Sequence, residues 1–160
     1  MTHALVLLLA LLIGVIAGLR ALTAPAVVAW GAFLGWIDVT DKWSEWVAHP
    51  ITVTVLTVLL FVELVTDQLP KTPSRKTPPQ FITRLLTGAF AGAVIGSAFF
   101  HTFSSVGAGI IGAVLGTLGG YEARSRLVAA NGGRDLPVAI GEDIVAVGGG
   151  FLIVYLTSLL

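Results

Sequence analysis

Four acids stand inside otherwise apolar stretches of this chain: Glu63, Asp67, Glu142 and Asp143. Glu63 and Asp67 are four residues apart, so on a helix they share one face. A carboxylate in hydrocarbon costs about 2.5–3.5 kcal/mol at mid-span and less near a helix end. Acidic side chains are too short to reach far toward water. They must face a bundle interior, a water-filled vestibule or a cation. Arg20 closes another apolar run and is the natural electrostatic organiser of such a group. Two chemistries fit. Clustered carboxylates retain protons more readily than isolated ones, through mutual repulsion and desolvation, which makes a proton- or cation-binding site. Alternatively, Arg20 bridges the acids in a buried ion-pair network that locks the bundle.

The elements that must position these residues are set by composition. Of 160 residues, 56% are hydrophobic and only 11% charged, where soluble domains carry roughly 25% charged residues. Mean hydropathy is +0.94. A soluble chain of this length cannot hide so much apolar surface, so the reading is an integral membrane protein. Nine basic and nine acidic residues leave no basic face for nucleic acid. The absence of cysteine excludes disulfides, thiolate metal sites and cysteine nucleophiles.

A spanning helix needs about 20 apolar residues. Six segments qualify or come close: Ala4 to Leu22, Ala24 to Ile37, Ile51 to Leu69, Phe81 to Phe100, Val106 to Leu127 and Pro137 to Leu160. Thr23 reads as the N-cap of the second, with Pro25 in its first turn. That second span is only about 21 Å long, short of the roughly 30 Å core. It either crosses, re-enters, or forms one long broken helix with the first. The Met1-Thr2-His3 tail lacks Lys and Arg, the reverse of a signal peptide, so cleavage is not expected. Lys71, Arg75, Lys76 and Arg84 cluster between spans three and four, and Arg124, Arg126 and Arg134 between five and six. Together with Arg20, these put three basic loops in the cytoplasm and both termini outside. Span three then descends and span six rises. Both acidic pairs come to similar depth, just below the cytoplasmic interface.

Glycines recur every fourth residue at Gly14 and Gly18, Gly31 and Gly35, Gly88, Gly92 and Gly96, and Gly112, Gly116 and Gly120. In lipid such faces let helix backbones approach closely, within one copy or between copies of a homo-oligomer. Gly148-Gly149-Gly150 should loosen the sixth span or kink it. Trp43, Trp46 and Val47 fall on one helical face and, with Trp36, read as an interfacial belt. The stretch Pro70 to Pro79 is stiff and basic, suited to setting topology and touching anionic lipid. His3, His49 and His101 are scattered and lack metal-ligand spacing. No nucleophile–base pair, phosphate loop or dinucleotide fingerprint is legible, so neither catalysis nor a cofactor is expected, and any metal is unspecified.

Gly14 to Ala26, Glu63 to Arg75, Gly116 to Tyr121, and Asp135-Leu136-Pro137 with Glu142-Asp143 resemble the motifs of a family of small bacterial membrane proteins. The family is catalogued as a domain of unknown function, number four-one-two-six. The resemblance covers nearly the whole chain. It implies a single-domain, multi-span inner-membrane protein and no particular activity.

The expectation is therefore one all-α transmembrane domain over residues 1–160, a six-helix bundle with a short or broken second helix. Residues 1–70 form a first three-helix half, 71–80 a basic Pro-rich loop and 81–160 a second half. Three spans per half make the halves an inverted repeat, as in many transporters. The leading expectation is a small transporter or channel-like protein. Its proton or cation site would use Glu63, Asp67, Glu142 and Asp143, with Arg20 organising them. The alternative is a non-transporting scaffold or lipid-binding protein with a structural ion-pair core. The lipid bilayer is the common partner.

Overall fold

A computed structural model describes residues 2–66, 78–134 and 136–160. Its described residues form six α-helices and no strand: α1 (Thr2–Leu19), α2 (Thr23–Phe33), α3 (Pro50–Thr66), α4 (Pro78–Ser97), α5 (Thr102–Ala130) and α6 (Leu136–Thr157). A 3₁₀ turn at Glu45–Ala48 precedes α3. Two helices, α5 and α6, are long and apolar enough to cross a membrane.

Helix α1 is apolar on nearly all sides, and from Leu9 onward it lies in the interior, while Leu5 and Leu8 stay exposed. It packs against α5 and α4 on one side and against α6 and α2 on the other. Val6, Ala10, Ile13 and Ala17 are fully buried along it. Close approach to α5 and α4 depends on glycine. A Cβ at Gly14 would strike the Gly109 carbonyl, one at Gly112 the Leu11 carbonyl, and one at Gly116 the Val15 carbonyl. Between α4 and α5, Gly88 and Gly92 face the Gly109 and Ser105 carbonyls in the same way. Gly109, one turn ahead of the expected Gly112 and Gly116, completes the contact face of α5.

The contacts fix the helix directions. Gly14 meets α5 at Gly109 and Gly18 meets it at Gly116, so α1 and α5 run parallel. Gly149 of α6 meets Ile16, whereas Arg20 meets Asp143, so α1 and α6 are antiparallel. Val27 and Val154, which faces Gly31, align α2 with α6 instead. Helix α2 therefore turns back on α1 rather than continuing it. The last turns of α1, α3 and α5 and the first turns of α2, α4 and α6 share one end of the bundle. The chain's beginning lies at the other end, where His3 packs on His101. So does α6's last turn, where Tyr155 meets Trp36 edge-on.

Several expectations need correction. Leu22, not Thr23, is the N-cap of α2, and it makes no side-chain cap bond. The Thr23 hydroxyl is buried without a hydrogen-bond partner. Helix α2 stops at Phe33 rather than Ile37, because the chain reverses at Gly35 with φ +82°. The N–H groups of Trp36 and Ile37 both return to the Gly31 carbonyl, as at many helix C-termini. Gly35 thus serves a turn, and nothing would meet its Cβ. Trp43, Trp46 and Val47 do not share a face: Val47 is fully buried and both tryptophans are half exposed. A 3₁₀ turn advances about 120° per residue, which points Val47 inward and Trp46 outward. Helix α6 runs unbroken through Gly148–Gly150, with Gly150 seated on Val27.

Candidate functional site

The break between α1 and α2 leaves two helix ends side by side. Carbonyls at the end of α1 carry partial negative charge, and N–H groups at the start of α2 carry partial positive charge. Each end is met by a side chain of the opposite sign from a different helix. Arg84 of α4, 3% exposed, donates from Nη1 to the Gly18 carbonyl at 2.6 Å. Glu63 of α3 accepts the Leu22 N–H at 2.6 Å. The cap that Thr23 was expected to supply locally thus comes from a carboxylate forty-one residues away.

Arg20 lies in the break itself and is 1% exposed. Its Nε donates to Asp143 Oδ1 at 2.6 Å, and Nη2 donates to the Ala139 carbonyl at 3.5 Å. Its Nη1 stands 3.9 Å from Glu142 Oε1. Glu142 is shared, because Arg124 Nη1 on α5 lies 3.7 Å from its other oxygen. Guanidinium suits this position, since its rigid fork presents several donors in one plane and keeps its charge when buried. Arg20 therefore ties the α1–α2 junction to α6, and Arg124 ties α5 to the same carboxylate.

The structure brings Arg20, Glu63, Glu142 and Asp143 to one end of the bundle. Asp67 and most of the Pro70–Pro79 stretch lie outside the described residues. Two participants were missed in the sequence. Arg84 was read only as part of a topology cluster, although an arginine one turn before Gly88 in an apolar run was the available signal. Arg124 was counted with its loop, although α5 continues to Ala130 and carries it on helix. None of these charged groups is without a partner. No group of three or more metal-ligating side chains occurs among the described residues. The histidines are less scattered than their spacing suggested: His3 and His101 stack with ring centroids 4.0 Å apart, and His3 Nε2 lies 3.2 Å from the Ser104 hydroxyl.

The class of protein defined here is an all-helical bundle whose broken first helix pair is held by charges from three other helices. Residues 7–159 match the family model described as a domain of unknown function, DUF4126, and the chain belongs to that family. No curated protein and no solved structure matches the chain.

Proposed function

We propose that this is a multi-pass bacterial inner-membrane protein of the non-transporting, lipid-binding or scaffolding kind, built around a structural ion-pair core. One observation carries the reading. Transporters leave the ends of broken helices open for substrate and ion. Here both ends at the Arg20 break are occupied by the chain's own Arg84 and Glu63, and Arg20 is occupied by Asp143. The membrane setting is supported by the apolar side chains that face outward, among them Ile51, Phe61, Val65, Leu86 and Ile144, each more than half exposed. In this setting the Arg-rich end is cytoplasmic and both termini are outside.

A second reading, the small proton- or cation-coupled transporter or channel, is favoured by Glu142. It is 10% exposed and shared by two arginines, so one proton or cation there would loosen contacts to α1 and α5 together. On that reading the two three-helix halves act as inverted repeats around the charged end, and a second copy can pair on the open faces at Gly119 and Gly141. Thermal stability in detergent across pH and a cation series separates the readings, for wild type and for Glu142→Gln. A flat cation response with a destabilised variant supports the scaffold. A cation-dependent rise that the variant loses replaces it with the transporter, since a ligand at one hundred times its Kd stabilises by about 2.7 kcal/mol.

A further inference from the structure

Between the charged end and Trp46, α3 and α4 stand apart and leave a cavity of about 480 Å³ between them. Pro25 of α2 forms its back wall, Val55 and Thr52 of α3 one side, Thr87 and Phe90 of α4 the other, and Trp46 its rim. We propose that this crevice holds one acyl chain of a membrane phospholipid from the leaflet at the tryptophan-bearing end. The proposal rests on the membrane part of the reading above and gives its lipid-binding part a site.

The chemistry of the wall selects the occupant. None of the residues lining it is charged. Its two threonines are already satisfied: Thr52 Oγ1 donates to the Trp46 carbonyl at 2.9 Å and Thr87 Oγ1 to the Arg84 carbonyl at 3.2 Å. A polar acceptor would lose its water and find both threonine protons already committed, which costs about 1–3 kcal/mol per group. A neutral wall therefore complements a neutral, hydrocarbon occupant. Size narrows the choice. A helix with its side chains is about 10–12 Å across, so this volume accepts roughly one turn of a second copy. A single hydrocarbon chain is far thinner and can lie along the crevice. The crevice is also continuous with the outward apolar face of α3 and α4, where Ile51, Val55 and Leu86 are 67%, 50% and 65% exposed. A chain can slide in sideways without crossing a polar barrier. At the rim, Trp46 is 52% exposed and its ring lies 5.7 Å from that of Phe90. Tryptophan prefers the level where hydrocarbon meets headgroup, which puts the lipid's ester region beside the indole.

The test uses the full chain in vesicles containing phosphatidylethanolamine with a diazirine at the end of one acyl chain. Flotation with the vesicles reports membrane insertion, and photoadducts mapped by mass spectrometry report the crevice. Adducts should concentrate on Leu56, Thr87 and Phe90. Val55→Trp, which fills the crevice from an exposed position, should lower them by about tenfold or more. Val58→Trp, one turn away and outside the lining, should leave them unchanged. Protein that fails to float overturns the membrane reading itself. Protein that floats while its adducts spread evenly over the outward faces, or persist in Val55→Trp, overturns only the crevice. Adduct-free crevice residues together with a cross-linked dimer would make a second copy the occupant and overturn the proposal.

Discussion

Replacing Arg20 with methionine removes a cation that faces both acids of α6. Methionine matches the aliphatic length of the side chain, so the change is close to a pure loss of charge and donors. Asp143 would lose its 2.6 Å bond while only 13% exposed. Breaking one side of a buried pair typically costs about 3–5 kcal/mol, because the remaining charge is stranded. Glu142 adds little to this, since Arg124 still faces its other oxygen. The expected total is therefore about 3–5 kcal/mol rather than twice that. Asp143→Leu leaves Arg20 beside Glu142, 3.9 Å away, and the Ala139 carbonyl, so it should cost less, about 1–3 kcal/mol. The double variant removes both members of the pair and should cost no more than Arg20→Met alone, so the coupling in a double-mutant cycle should be at least as large as the Asp143→Leu loss. Urea or thermal unfolding in one detergent, on all four proteins, reads this directly. A cost below about 1 kcal/mol for Arg20→Met, the range of exposed ion pairs, would refute the buried-latch reasoning. Additive single losses would refute it equally.

Three further expectations follow from the geometry. Gly112→Ala would force a Cβ into the Leu11 carbonyl and push α1 from α5, costing about 1–3 kcal/mol, whereas Gly119→Ala meets nothing and should be neutral or stabilising by up to about 1 kcal/mol; paired unfolding curves check both. Glu63→Leu leaves the Leu22 N–H without its acceptor and should cost about 1–3 kcal/mol, while Glu63→Gln keeps an oxygen there and should cost less; amide exchange at Leu22 should accelerate in the leucine variant more than in the glutamine one. Asp38, in the loop before the 3₁₀ turn, is held below its usual 3.8 by the Thr40 N–H first, then by the Thr40 side chain and Lys42. A lowered folded-state value means that its contribution is present above 3.8 and lost as pH falls through that lowered value. An NMR titration should find the Asp38 midpoint below 3.8, and Thr40→Pro, which lacks the N–H, should raise it.

The periodic features of this chain are legible in its sequence. Proline and glycine punctuation placed α3 and α6 to within a few residues, and small residues every fourth position marked the faces on which α1, α4 and α5 meet. The acids and Arg20 stood out because charge inside an apolar run needs an explanation. What stayed hidden was non-local. Thr23 looked like a cap because capping preferences are local, and nothing near Leu22 in the chain announces Glu63. Gly109 escaped because it precedes the four-residue repeat, and Arg84 and Arg124 because counting charges by loop hides those that turn inward. The His3–His101 stack joins two helix starts nearly one hundred residues apart, a pairing that no spacing rule contains.

Arg20 and Asp143 are separated by 123 positions along the chain. At a translation rate of about 5–20 residues per second, the arginine is made about 6–25 seconds before its carboxylate exists. If the chain inserts as a multi-pass membrane protein, as proposed above, Arg20 cannot rest in hydrocarbon during that interval. It has to reach toward the aqueous boundary with its long stem, holding the first hairpin shallow. Only when the final helix arrives can the hairpin sink to its finished depth, so the last segment synthesised acts as the bolt for the first, and a nascent chain halted before α6 should remain an open, easily degraded intermediate.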